Sequence, residues 1–235
     1  MRDREWEKSD FKVFGNVFGR KTLMALYKLL NKGVISHMEG EIFSGKEANI
    51  FLAAKEDEPR IVKIYRIESA DFNNMAPYIA GDPRFELQPT KRKMVYEWTK
   101  KEYKNLLRFT KAGVRVPLPY DFLENILIME FIGDERPALP MKRKKPKYPQ
   151  KTYDKILEYL RLAVTKARLV HADLSEYNIL NFKEEPVIID CGQSVDIKHP
   201  EAEKFFDRDL KNLNRFFRGR CSTKEMEWAE LTGGN

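Results

Sequence analysis

Residues Val170–Leu180 read Val-His-Ala-Asp-Leu-Ser-Glu-Tyr-Asn-Ile-Leu, so Asp173 is followed five positions later by Asn178. A tight turn and a second apolar strand come next, and that strand ends in Asp190. This order, H-x-D-x-x-x-x-N and then a strand ending in aspartate, is typical of a phosphoryl-transfer site. One carboxylate would lie near the attacking group. An amide oxygen and a second carboxylate are the oxygen ligands that Mg²⁺ requires.

The composition is that of a globular protein with a basic surface. The chain has 235 residues, enough for one or two domains with a core, and a net charge of +7. The positive charge favours an anionic partner such as a nucleotide or nucleic acid. Because Cys191, Cys221 and the three histidines are scattered, we expect neither a disulfide framework nor a zinc site. No apolar run could span a membrane and no signal peptide is evident, so we expect a cytoplasmic protein with no membrane partner.

The first half of the chain has the periodicity of one helix followed by strands. An amphipathic helix is predicted over Arg20–Asn31. Strands are predicted over Met38–Phe43, Ala48–Ala54 and Arg60–Arg66, with a turn over Lys55–Pro59. Ser69–Arg92 is polar and rich in proline and glycine, which predicts a long functional or disordered loop.

The strand-rich front half also carries one long helix, and the back half is predicted to be mostly helical. Helices are expected over Lys93–Thr110, Thr152–Leu169, His199–Arg218 and Ser222–Leu231. Between the first two, a hairpin has Ile126–Ile132 as its buried second strand, and Asp134–Gln150 is a connection that carries the basic run Lys142–Lys145.

The segment Gly40–Glu47 nearly matches a phosphate-binding P-loop, but it fails in two ways. Glu47 stands where a hydroxyl should bind Mg²⁺, and strands rather than a strand and a helix flank the loop. The alternative is a hairpin turn whose backbone N–H groups and Lys46 face phosphates. An ordinary charged hairpin turn also fits this segment taken alone.

Lys63 stands in a strand, Ile61–Tyr65, whose two faces are both apolar. A lysine buried there is costly unless it meets an anion, the alternative being a side chain that reaches solvent at a sheet edge. Glu102 lies on the apolar stripe of the helix that follows, whereas Glu97 has lysine neighbours and is expected to be solvated. We therefore predict an ion pair between Lys63 and Glu102, the arrangement that positions ATP phosphates in protein kinases.

Several segments together resemble the RIO family of atypical serine/threonine protein kinases, in the compact, archaeal-like subgroup that lacks an N-terminal winged helix. The resemblance runs from about Lys21 to Phe217. The segments that carry it are Gly33–Ser36, Ser44–Asn49, Met129–Gly133, His171–Asn178, Ile189–Gln193 and Arg208–Leu213.

The resemblance implies an α+β, small two-lobed protein-kinase-like fold, with an antiparallel N-lobe sheet plus a helix and a reduced helical C-lobe. The implied division is an N-terminal extension with a helix over residues 1–34, an N-lobe over 35–132 with a flexible loop at 69–92, and a C-lobe over 133–235. It implies ATP and Mg²⁺, with Mn²⁺ as a possible substitute, and serine/threonine kinase or ATPase (hydrolase) activity. It further implies a role in ribosome biogenesis, with the pre-ribosomal small subunit or its rRNA as partner, an unidentified protein substrate, and autophosphorylation.

The resemblance also implies roles for individual residues. Asp173 would accept the proton of the attacking hydroxyl, Asn178 and Asp190 would bind the metal, and Asp190 would be a candidate aspartyl-phosphate site. The implied ATP-binding residues are Ser44, Gly45, Lys46, Ala48, Lys63, Glu102, Met129, Glu130 and Ile132, with Glu130 and Ile132 contacting adenine through their backbones.

Two departures from ordinary protein kinases leave the acceptor open. The chain has no G-x-G-x-x-G loop, and only 45 residues follow Asp190, too few for a full activation segment. Cys191 also stands where kinases usually have a phenylalanine. Two alternatives therefore stay open: a small-molecule kinase of the choline or aminoglycoside type, and an ATP-gated ribosome-assembly or RNA-binding factor whose hydrolysis drives release.

Overall fold

A computed structural model describes residues 18–68 and 72–233 of the chain. Two compact units are present, and their segments alternate along the sequence. The first unit consists of Met1–Phe72, Gln88–Tyr103 and Pro119–Phe131, and the second of Asn73–Leu87, Lys104–Leu118 and Ile132–Asn235. The described part of the chain has no helix that is both long and apolar enough to cross a membrane. The division at residues 34 and 132 stays a prediction.

The first unit is built on an antiparallel sheet of five strands in the order β1-β2-β3-β5-β4. The strands are β1 (His37–Ser44), β2 (Ala48–Lys55), β3 (Glu58–Tyr65), β4 (Pro119–Leu123) and β5 (Ile126–Glu130). The predicted turn at Lys55–Pro59 was too long, because Pro59 pairs with Ala54 inside the ladder and Glu56 turns the chain at φ 55°. The strand predicted over Ile126–Ile132 ends at Glu130 in the structure, two residues before its predicted end.

Helix α1, Arg20–Asn31, packs on one face of this sheet and has the predicted bounds. Its buried residues Ala25, Leu26 and Leu29 form a core with Phe51, Val62, Ile64 and Ile128 from the strands. We call this side of the sheet the α1 face. Successive strand residues point to opposite faces, so Lys63 and Tyr65 point away from it.

Helix α3, Lys91–Ala112, contributes its first part to the first unit and its last part to the second. The predicted helix Lys93–Thr110 is thereby confirmed and extended. Ser69–Arg92, predicted as a loop, contains helix α2, Phe72–Ile79. Met75 and Ile79, four positions apart, are almost fully buried. This single apolar pair in a polar, proline-containing segment was too weak a periodicity to predict a helix.

The second unit combines helices with two small sheets. Its strands are β6 (Leu139–Pro140), β8 (Ile179–Phe182) and β9 (Glu185–Ile188) in one sheet, and β7 (Leu169–Val170) with β10 (Val195–Asp196) in the other. Its further helices are α4 (Pro149–Leu162), which continues as a π-helix over Ala163–Ala167, α5 (Ala202–Phe217) and α6 (Trp228–Thr232).

Three helix predictions in this unit had wrong ends. The helix predicted over Thr152–Leu169 stops before Arg168, which adopts a left-handed conformation with φ 56°. The helix predicted from His199 begins at Ala202. The helix predicted over Ser222–Leu231 was wrong for most of its length, since α6 begins only at Trp228.

Candidate active site

The ion pair predicted in the first unit is present. Lys63 lies in the middle of β3, paired with Ile50 of β2 and Leu127 of β5, and its Nζ is 2.9 Å from Glu102 Oε1 on α3. The Tyr65 hydroxyl donates to the second oxygen, Oε2. The exposed fractions are 7% for Lys63 and 1% for Glu102, which excludes a lysine that reaches solvent at a sheet edge.

Burial makes this pair interdependent. Removing two charges from water is costly, and each charge is tolerated only because the other is close. The Tyr65 hydroxyl and the Lys63 ammonium therefore fix the Glu102 carboxylate from two sides. Glu97 pairs with Lys100 at 2.9 Å, but its side chain is only 14% exposed, so the prediction that it is solvated was wrong.

The turn between β1 and β2 brings Ser44 and Asn49 together. The Ser44 hydroxyl donates to Asn49 Oδ1 at 3.3 Å and accepts a hydrogen bond from Arg66 Nη2 at 2.8 Å. Gly45 N–H donates to the Ala48 carbonyl at 2.9 Å, and a Cβ at Gly45 would lie only 3.0 Å from that oxygen. A strand, β2, follows this turn as predicted, so the segment is a hairpin turn and not a P-loop.

Lys46 is exposed at the tip of the same turn. Met129 and Glu130 end β5, where Met129 pairs with Ile61 and Glu130 with Arg60. Ile132 belongs to the second unit, where it packs against Leu180 and Val187. Its carbonyl accepts a hydrogen bond from Ala138 N–H at 2.8 Å.

Within the second unit, Asp173 and Asn178 are in direct contact. Asn178 Nδ2 donates to Asp173 Oδ2 and to the Asp173 carbonyl, both at 2.9 Å. Ile189 N–H donates to the Asn178 carbonyl at 3.0 Å, which places the end of β9, and therefore the backbone of the adjacent Asp190, beside this loop. Asp190 is exposed and has a left-handed backbone with φ 60°.

His171 fixes the start of the loop. Its Nδ1 accepts a hydrogen bond from Asp173 N–H at 3.3 Å, so a neutral ring carries its proton on Nε2. Nε2 lies 3.1 Å from the Ile189 carbonyl, to which it then donates. The imidazole therefore ties the backbone of Asp173 to the residue that precedes Asp190.

Helix α5 holds the loop through three neighbouring side chains. The Asp209 carboxylate accepts from the N–H groups of Ala172 at 2.7 Å and Leu174 at 2.8 Å. Arg208 donates to the Ala172 carbonyl, and Asn212 Nδ2 donates to the Leu174 carbonyl at 3.2 Å. Complete burial raises the pKa of Asp209 to about 7, although the two backbone hydrogen bonds oppose the rise. No role was predicted for Asp209, although an acid on the buried face of a strongly amphipathic helix was a usable signal.

Asn105 of α3 holds the segment that follows Asp190. Its Nδ2 donates to the carbonyls of Cys191 at 2.8 Å and Ser194 at 2.9 Å. Its Oδ1 accepts from Arg84 Nη1 at 2.8 Å, and Arg84 pairs with the buried Asp82 at 2.7 Å. This network was missed because Asp82 and Arg84 lie in the stretch predicted to be a loop.

The donor set of the second unit fits Mg²⁺. Asn178 uses its Nδ2 to contact Asp173, which leaves its Oδ1 for a cation, and the Asp190 carboxylate is exposed. Over residues 18–68 and 72–233 there is no cluster of three or more His, Cys, Asp or Glu side chains suited to a metal. Mg²⁺ in kinase-type sites uses one or two carboxylates together with substrate phosphates, so two protein ligands suffice.

Comparison with known proteins gives one consistent result. A family model described as the RIO domain matches residues 49–231. The chain is 44% identical over 222 residues to the RIO-type serine/threonine-protein kinase Rio1 of Haloferax volcanii, covering 93% of this chain and 76% of the relative. It is 37% identical to Rio1 of Methanocaldococcus jannaschii, covering 98% and 84% of the two chains. Against the human serine/threonine-protein kinase RIO1 it is also 37% identical, but it spans only 41% of that protein.

Solved structures agree with this result. The Rio2 kinase of Chaetomium thermophilum matches with a TM-score of 0.73 and 25% identity, covering 92% of this chain and 68% of the other. The complex of Rio2 from the same organism with ADP, Mg²⁺ and phosphoaspartate matches with a TM-score of 0.72 and 24% identity, covering 90% and 65%. The predicted protein-kinase-like α+β fold, with an antiparallel sheet plus helices, is confirmed.

Proposed function

The chain belongs to the RIO family of serine/threonine protein kinases, and on this basis we propose that it transfers the γ-phosphoryl group of ATP, with Mg²⁺, to a hydroxyl group or to water. The observation that carries this proposal is the contact between Asp173 and Asn178, in a loop fixed by Asp209. A carboxylate held beside an amide oxygen is what such a reaction needs, because the protein contributes mainly positioning and electrostatic stabilisation.

Each unit supplies a different part of the proposed chemistry. In the second unit, Asp173 orients the attacking hydroxyl and accepts its proton, and Asn178 and Asp190 bind Mg²⁺. When bound, the cation neutralises charge on the phosphates. In the first unit, Lys63, held by Glu102, binds ATP phosphates. The proposal is supported by the 2.9 Å ion pair and by its burial, which leaves Lys63 few alternative positions.

The remaining proposed contacts to ATP come from backbone groups and from the Lys46 side chain. The turn Ser44–Ala48 would lie over the phosphates, with Lys46 as its exposed cation and Gly45 allowing close approach. The adenine would be bordered by Met129, Glu130 and Ile132. Glu130, the last residue of β5, and Ile132, two residues beyond it, would offer peptide groups at the end of the sheet ladder.

Labelled ATP tests the proposed role of Asp173 directly. We expect Asp173→Ala to lower turnover by about a hundredfold or more, the usual contribution of a general base, with little change in ATP affinity. Asp207→Ala, which removes an exposed aspartate of α5, is the matched control and should keep wild-type turnover. Retention of wild-type turnover by Asp173→Ala would show that the assignment is wrong.

The same reaction distinguishes the possible acceptors. Free phosphate indicates ATPase activity, and label on the protein that resists hydroxylamine indicates autophosphorylation of serine or threonine. Label that hydroxylamine releases, and that Asp190→Asn lacks, indicates an acyl phosphate on Asp190. Label transferred to added choline or aminoglycosides would instead support a small-molecule kinase. Replacing Mg²⁺ by Mn²⁺ in this assay tests whether the site accepts the second cation.

A basic turn supports a second, compatible function. Lys142–Lys145 are all exposed, and the turn is anchored beside the Asp173 loop because Lys142 N–H donates to the Glu176 carbonyl at 2.9 Å. The Lys142 ammonium also lies 5.2 Å from the centre of the Tyr177 ring. We propose that this turn contacts rRNA of the small ribosomal subunit during its maturation in the cytoplasm, with ATP hydrolysis driving release.

Charge reversal tests the RNA contact. Replacing Lys142, Arg143, Lys144 and Lys145 by glutamate should weaken binding to pre-ribosomal particles. It should also reduce the slope of log affinity against log salt, roughly in proportion to the number of RNA phosphates that the turn neutralises in the wild type. ATP turnover without RNA should stay near the wild-type value. Unchanged binding and slope would remove this turn from the RNA contact.

A further inference from the structure

The first unit contains a cavity of about 530 Å³ beside the N-terminus of α1. Its lining comes from the start of α1, the start of β2, the end of β3, the start of α3 and the turn between β4 and β5. The basic residues in this lining are Arg20, Lys21, Arg66 and Arg92. Glu68 is the single acid among the described residues that line it, so the lining has a surplus of positive charge.

This cavity differs from the proposed ATP-phosphate site on Lys63. Asn49 pairs with Ile64, and Ile64 belongs to the core beneath α1, so Asn49 lies on the α1 face. Arg66 follows two residues after Ile64 and shares that face. Lys63 and Glu102 point to the opposite face, and neither lines the cavity, although Tyr65, whose hydroxyl donates to Glu102, contributes to its wall.

The first turn of α1 carries an unbalanced positive charge. Gly19 supplies no side-chain cap, and the turn contains no acidic residue. The first N–H groups of a helix lack internal partners and make its N-terminus electropositive. Arg20 and Lys21 add two exposed cations at this end, where cations are unfavourable. An anion in the cavity would balance both contributions.

A buried amide in the cavity wall has an unused donor. Asn49 is only 5% exposed, and its Oδ1 accepts from Ser44 and Arg66. Over the described residues its Nδ2 donates to no group, and it is not among their fully buried unpaired atoms, so this donor is accessible to a ligand in the cavity. Arg66 is held in place by its 2.8 Å bonds to Asn49 and Ser44, and its Nη1 remains for a ligand.

We propose that this cavity binds a small phosphorylated anion, with Arg20, Lys21, Arg66 and Arg92 around the phosphoryl oxygens and Asn49 Nδ2 donating to one of them. A cluster of guanidinium groups with helix N–H groups suits phosphate oxygens. The volume lies in the range of about 300 to 1,000 Å³ that is usual for small-molecule sites. A concave site of this size favours a compact ligand over the extended backbone of a nucleic acid.

Calorimetric titration with inorganic pyrophosphate tests the proposal, using the full chain in buffer without Mg²⁺. Arg20→Gln/Lys21→Gln removes two exposed charges from the cavity rim. Lys28→Gln/Lys55→Gln removes two exposed charges elsewhere in the first unit and is the matched control. Lys63→Met reports pyrophosphate bound at the proposed ATP-phosphate site. Circular dichroism melting curves check that each variant is folded.

We expect the Arg20/Lys21 variant to bind pyrophosphate about tenfold more weakly, since each partly exposed ion contact contributes only modestly. The charge control and Lys63→Met should stay within about twofold of the wild type. The proposal would be overturned if the charge control bound pyrophosphate as weakly as the Arg20/Lys21 variant, or if only Lys63→Met bound it more weakly. It would also be overturned if the wild type did not bind pyrophosphate at millimolar concentration. RNA binding that depends on Arg20 and Lys21, without pyrophosphate binding, would overturn it in favour of a nucleic-acid surface.

Discussion

Asp209 holds Asp173 without touching its side chain: its carboxylate accepts the N–H groups of Ala172 and Leu174, the two neighbours of Asp173. Ala172 has φ 68°, a left-handed conformation that costs about 1–2 kcal/mol for a residue other than glycine. The two hydrogen bonds from α5 offset this cost and fix the direction of the Asp173 side chain. The buried Asp209 carboxylate therefore positions the backbone on both sides of Asp173 in the proposed site.

Asp209 makes stability depend on pH. Its pKa in the folded protein is about 7 and its unfolded value is 3.8, so the folded state binds the proton more tightly. Its contribution to stability is therefore full below about pH 4 and is lost as pH rises to about 7, by at most about 1.4 kcal/mol per pH unit. We expect the free energy of unfolding in urea to favour the wild type over Asp209→Asn by an amount that decreases as the pH rises from 5 to 8. A difference that is constant or rises with pH would contradict the assignment.

Breaking the Lys63–Glu102 pair should cost stability as well as activity. Lys63→Met leaves a carboxylate buried and without its cation, which costs about 3–5 kcal/mol. Lys63→Met/Glu102→Met should regain most of that stability in urea unfolding and yet remain inactive with labelled ATP. Lys100→Met, at the more exposed pair with Glu97, should change stability by less than about 1 kcal/mol and keep activity. Activity in the double variant would argue against a role in ATP binding.

Asn105 should act on the proposed metal site through the backbone. Asn105→Leu leaves the carbonyls of Cys191 and Ser194 without the donor they share, a loss of about 1–3 kcal/mol. Because these residues follow Asp190, the variant should need several-fold more Mg²⁺ for half-maximal turnover than the wild type. Arg84→Leu leaves the Asn105 bonds to both carbonyls in place, so it should raise that Mg²⁺ requirement less, although the loss of the ion pair with buried Asp82 should lower stability. An unchanged Mg²⁺ requirement in Asn105→Leu would show that this contact is structural only.

Two glycines of the first unit allow a matched test of the β1–β2 turn. A Cβ at Gly45 would lie 3.0 Å from the Ala48 carbonyl and from the Phe43 ring, whereas a Cβ at Gly40 meets no atom within 4 Å. Gly45→Ala should therefore displace the turn and raise the KM for ATP several-fold, while Gly40→Ala should leave it unchanged. Equal KM values would indicate that the turn does not contact ATP phosphates.

The sequence by itself determined the features that depend on local periodicity. The bounds of α1 and the approximate positions of β1 to β3 followed from the spacing of apolar residues. Glu102 was preferred over Glu97 as the partner of Lys63 because it lies on the apolar stripe of its helix. Burial patterns of this kind repeat every two residues in strands or about every 3.6 residues in helices, so they can be recognised in the sequence itself.

Only the tertiary structure decided how the loop of Asp173 is held. Asp209 contacts Ala172 across 37 positions of sequence, and Asn105 contacts Cys191 across 86. Helix α2 was likewise missed, because the burial of Met75 and Ile79 depends on tertiary packing rather than on local preference. A buried polar group must find a partner, but its own segment does not specify which distant backbone group that partner is. That choice is made only when the chain packs.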